Sequence, residues 1–62
     1  MDERYQWYKH WSNACDKKRM ALQRNDYDNG VRWSEIALSI TIAFAAKFGM
    51  DFGAYVNQVV FT

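Results

Sequence analysis

The chain has 62 residues, half of them hydrophobic and 11 aromatic, with one cysteine and a formal net charge of +1. That length makes one domain that buries only ~60% of the surface its unfolded form exposes, and the composition excludes a disordered polar chain, a polyacid and a strong polybasic binder. The lone Cys15 excludes an internal disulfide and no Cys/His spacing suits zinc, so dense helical packing and oligomerisation are the staples that remain.

Residues 2–25 read as a helix. Asp2 and Glu3 favour its positive N-terminal dipole, and Ala21, Leu22, Gln23 and Arg24 are strong helix formers. An advance of about 100° per residue gathers Trp7, Trp11, Ala14, Cys15, Ala21 and Leu22 on a core face with Tyr8 at its border. Lys18 interrupts that face and has to snorkel out of it. The two tryptophans are expected to cover Trp33 and Phe44. On the far side lie Tyr5, Lys9, Lys17, Met20 and Arg24, and Tyr27 is counted with them. Rings, a flexible thioether and cations together make these six the predicted partner-binding strip.

Asn25–Gly30 reads as a turn, with Asn29-Gly30 supplying positive φ and an Asp or Asn side chain capping the next helix. Its likeness to a calcium loop fails, because a tyrosine and an isoleucine, Tyr27 and Ile36, fall at ligand positions. The spacing predicts a second helix over Val31–Phe48, apolar on two sides. One stripe is Trp33, Ile36, Ile40, Phe44 and Phe48; the other is Val31, Leu38, Ile42 and Ala45. The first helix can cover one stripe, and the other needs the C-terminal segment or another molecule. Ala43, Ala45 and Ala46 are small enough to let a neighbouring helix approach.

Gly49 suits a helix stop and Asp51 a cap for a third helix at Phe52–Phe61, where Phe52, Tyr55, Val56, Val59 and Val60 follow helical periodicity. A strand is the competing reading, since these are β-formers, but two-residue alternation fails at Val59-Val60-Phe61. The segment Thr41–Val60 loosely resembles a helix-turn-helix at its hinge, through Ala45, Phe48, Gly49 and Met50. Its would-be recognition helix has no Lys or Arg and begins at Asp51, so a helix hairpin with a glycine turn describes it better than a DNA reader.

The expected fold is therefore all-α: a helical hairpin plus a short C-terminal helix, self-associating. The expected function is a non-enzymatic protein–protein interaction module, a small inhibitor, adaptor or sequestering protein of the sort phages and mobile elements often encode. His10 and Cys15 point about 140° apart on one helix and cannot form a dyad. No phosphate loop or useful carboxylate pair is present, so no enzyme activity, cofactor or metal is expected. The expected partners are a protein target and a second copy, the homodimer contact being made by Val59-Val60-Phe61. The alternative partner is nucleic acid, bound through Lys17-Lys18-Arg19 with Lys9 and Arg24. Residues 1–25 hold six Lys/Arg against three Asp/Glu. No secretory signal opens the chain, and its longest charge-free segments, 11 residues each, fall short of the ~20 of a membrane span. A cytoplasmic protein is the expectation.

Overall fold

A computed structural model describes residues 2–60, which form three helices: α1 (Glu3–Gln23), α2 (Tyr27–Phe48) and α3 (Phe52–Val60). The helical reading of the C-terminal segment holds over the strand reading, and Phe61 lies outside the described residues. Asp2 starts α1 by accepting from the Arg4 backbone N–H at 3.0 Å. The Arg4 side chain also bonds to Asp2 and holds its carboxyl below its ordinary pKa. A lowered carboxyl keeps the cap intact above the usual carboxylate range and loses it as pH falls through the lowered value.

The first turn differs from the sequence expectation. The left-handed residue is Asn25, at φ 60°, and its N–H donates to the Leu22 carbonyl while that of Asp26 donates to Ala21. These are the paired bonds of a Schellman closure, which needs a single left-handed residue. Asp26 then caps α2 at once, accepting from the Asn29 backbone and side chain. Asn29 and Gly30 thus lie inside α2, and Gly30 is buried. A Cβ built there would stand 2.9 Å from Cδ2 of Leu22, a side chain that would have to shift to admit it.

So short a turn forces α2 back along α1, and a 2.7 Å Lys47–Glu3 ion pair joins the open end of the hairpin. Buried small residues, Ala14 and Ala21 on α1 and Gly30 and Ala37 on α2, occupy the turn end. Aromatic rings fill the open end. Phe44, fully buried, has ring centroids of Phe48, Phe52, Tyr55 and Trp7 within 4.8–6.4 Å. Trp7 covers Phe44 as expected, but Trp11 packs on Phe52, at 5.2 Å. Trp33 shares a shallow groove with Trp7, Ala14 and Ile40. Leu22, assigned to the core, is 41% exposed because it lies over Gly30 at the edge of the contact. The small residues that let the helices approach are not Ala43, Ala45 and Ala46, which are exposed.

Gly49 ends α2 in the left-handed region at φ 64°, and Asp51 caps α3 by accepting from the Ala54 N–H at 3.1 Å. The chain bends 95° here, so α2 and α3 form a right-angle corner; only α1 and α2 form a hairpin. Arg4 ties the corner to α1, its guanidinium 5.0 Å from the Tyr55 ring centroid and 3.5 Å from Met50 Sδ. A side chain at Gly49 meets no steric obstacle, so its backbone conformation alone decides the cost of substitution. Gly49→Ala is expected to lower stability by about 1 kcal/mol, and Gly49→Asn by less. Equal melting temperatures for wild type and Gly49→Ala would contradict the left-handed stop.

Candidate functional site

Two exposed faces of different character lie on the hairpin. The α1 face carries Tyr5, Lys9, Lys17, Met20 and Arg24, all exposed as the sequence implied. The Tyr5 ring stacks on Tyr8 at 5.9 Å, with the Lys9 ammonium 5.7 Å from its centroid. From Tyr5 to Arg24 the strip runs about 28 Å along the helix, and its polar residues separate Tyr5 from Met20. The basic run Lys17-Lys18-Arg19 lies beside this face. Arg19 is paired with Asp16 at 2.7 Å, while Lys18 is half-buried in a groove with Cys15 and Leu22. Burial pushes the Cys15 thiol up, against the lowering effect of Lys18, which keeps it protonated and weakly nucleophilic at neutral pH.

Tyr27 does not belong to the α1 strip. It is the first residue of α2, 63% exposed, and its hydroxyl donates to Asn25 Oδ1 at 3.3 Å. The angle count assigned it to α1 because that helix was continued through residues that form the turn. Tyr27 instead heads the second face, followed on one side of α2 by Val31, Leu38, Ile42 and Ala45 over about 27 Å. Exposures of Tyr27, Val31, Leu38 and Ile42 are 63%, 58%, 60% and 63%. No charge interrupts residues 36–46. The helical period of this stripe is the sequence signal for it, although of its residues only Tyr27 belongs to the predicted binding set.

The stripe stays open because α3 covers the end of the hairpin and not its side. Phe52 and Tyr55 are buried against Phe44, and the 95° corner carries the rest of α3 away from Leu38 and Val31. Between Ile42 and Ala45 on α2 and Phe52, Gly53 and Val56 on α3 is a groove of about 860 Å³. It continues the stripe. At the C-terminus Val59 and Val60 are 36% and 51% exposed, a smaller apolar area than α2 offers.

Exposed apolar residues are ordinary singly, but a contiguous line of large ones marks an interaction surface. Covering the open part of Tyr27, Val31, Leu38 and Ile42 contributes about 1–2 kcal/mol each. When two such faces meet, the eight side chains supply roughly 8–16 kcal/mol against an association cost of ~4–15 kcal/mol. The two terms are of the same size. No single described helix is long and apolar enough to cross a bilayer; α2 and α3 reach that composition only jointly, across their bend. The borders of the stripe carry Asp28, Glu35 and Thr41, with exposed Arg32 beside the two carboxylates.

No family model, curated protein or solved structure matches this chain. The functional reading therefore rests on its own surfaces.

Proposed function

We propose that the protein is a non-enzymatic protein–protein interaction module, an inhibitor, adaptor or sequestering protein, that engages other protein through the open apolar face of α2. The observation that carries this reading is the line of Tyr27, Val31, Leu38 and Ile42, each about three-fifths exposed on a helix whose other side already holds the core. A chain of this size has little apolar surface to spare, and these four side chains contribute least to its own fold. Tyr5, Lys9, Lys17, Met20 and Arg24 on α1 form a separate, more polar surface.

The test is affinity capture from the native cell with wild type, a Leu38→Asp/Ile42→Asp variant and Tyr5→Ala. Wild type and Tyr5→Ala should retain the same stoichiometric protein, and the double variant should lose it while keeping its helical circular dichroism. Capture unaffected by the double variant but abolished by Tyr5→Ala would move the site to α1. Nucleic acid held by wild type with a steep salt dependence would replace the reading altogether.

A further inference from the structure

Resting on that reading, we propose that the occupant of the α2 face is a second copy of this chain, docked antiparallel with Leu38 on the two-fold axis, so that two hairpins become a four-helix assembly with α2 sandwiched. The sequence along the face is complementary to its own reverse. With Leu38 opposite Leu38, Val31 meets Ala45, Ser34 meets Ile42 and Tyr27 meets Gly49. Larger stands against smaller at the three levels flanking the Leu38 pair, as close packing between helices requires. Parallel pairing would set tyrosine on tyrosine and alanine on alanine, clashing at one end and leaving a gap at the other.

Charge and shape select the same orientation. In a parallel pair Asp28 and Glu35 would each lie beside their own copies, a repulsive arrangement. Antiparallel docking separates the two Asp28 residues by about 30 Å and the two Glu35 residues by about 9 Å along the axis, and it opposes the helix dipoles favourably. Tyr27 of the second copy arrives at Gly49, beside the groove lined by Ile42, Ala45, Phe52 and Gly53. That groove offers an apolar seat for a ring. The contact is isologous, as a two-fold dimer requires, and it replaces Val59-Val60-Phe61 as the dimer surface.

Single cysteines placed in a Cys15→Ser background test the register, because a disulfide forms only when Cα atoms stand about 4.4–6.8 Å apart. Leu38→Cys should crosslink to itself under mild oxidation. Val31→Cys and Ala45→Cys should each stay uncrosslinked alone and crosslink when mixed, since in this register two copies of residue 31 lie about 21 Å apart. Sedimentation should show a dimer whose dissociation constant rises at least about a hundredfold in Leu38→Asp, which removes the central side chain from both copies. Self-crosslinking of Val31→Cys overturns the orientation. A monomer at the highest soluble concentration, whether idle or bound to neutral lipid vesicles, overturns the dimer. If that monomer still captures a protein partner and Leu38→Asp/Ile42→Asp abolishes the capture, the dimer alone has failed; if the double variant captures normally, the α2 reading fails with it.

Discussion

Phe44→Ala is expected to remove most of the chain's stability and to lower its melting temperature steeply. Phe44 has no exposed surface and stands at the centre of the core, with Phe48 and Phe52 about 5 Å away centroid to centroid and Tyr55 at 5.4 Å. Removing a buried phenylalanine costs about 3–5 kcal/mol through lost transfer energy and the cavity left behind. A 62-residue domain has roughly 3–9 kcal/mol in total, so the loss consumes most of it. Collapse cannot repair the cavity cheaply, because the surrounding rings are held by different elements: Phe48 by α2, Phe52 and Tyr55 by α3, Trp7 by α1. The measurement is thermal melting by circular dichroism. A cooperative transition within a few degrees of wild type would show that Phe44 does not organise the core.

Trp11→Ala should cost about 3 kcal/mol, the lower end for a tryptophan because its ring is only half-buried. The damage should be uneven. Trp11 lies against Phe52 at 5.2 Å and Tyr8 at 6.1 Å and lines the groove beside α3. It therefore supports a nine-residue helix, shorter than the ~12–15 residues at which isolated helices are even marginal in water. Amide exchange in α3 should accelerate more than exchange near Ala21 and Gly30 at the turn end. Uniform acceleration along the chain would mean that α3 unfolds only with the whole molecule. Unchanged exchange would mean that Trp11 does not hold it.

These two effects belong to one end of the molecule. The turn end is closed by small residues, the open end by rings, and the long faces of the hairpin are left to solvent. The radius of gyration, 12.5 Å, exceeds the ~10.6 Å of a compact chain of this length. An elongated shape has too little interior for half of its residues to be hydrophobic and covered. The surplus lies on α2, and the proposed dimer places it in an interior that a single copy lacks.

Periodicity and end signals in the sequence determined the three helices, the antiparallel hairpin, the stop at Gly49 and the cap at Asp51, because each depends on residues within a few positions of one another. The same local logic failed between Asn25 and Gly30, where two acceptable left-handed sites compete; the Schellman bonds to Ala21 and Leu22 select Asn25 and draw Tyr27 onto α2. Buried Gly30 and Ala37 were also hard to read, since small residues carry little hydrophobic signal and matter only when a second helix is pressed against them. The sequence showed two apolar stripes on α2 without saying which of them α1 would take or whether the C-terminus would cover the other. Only the tertiary structure decided that. The rings around Phe44 draw α3 to the end of the hairpin, the corner at Gly49 turns it away, and Val31, Leu38 and Ile42 remain open because a nine-residue helix anchored at Phe44 cannot also lie along them.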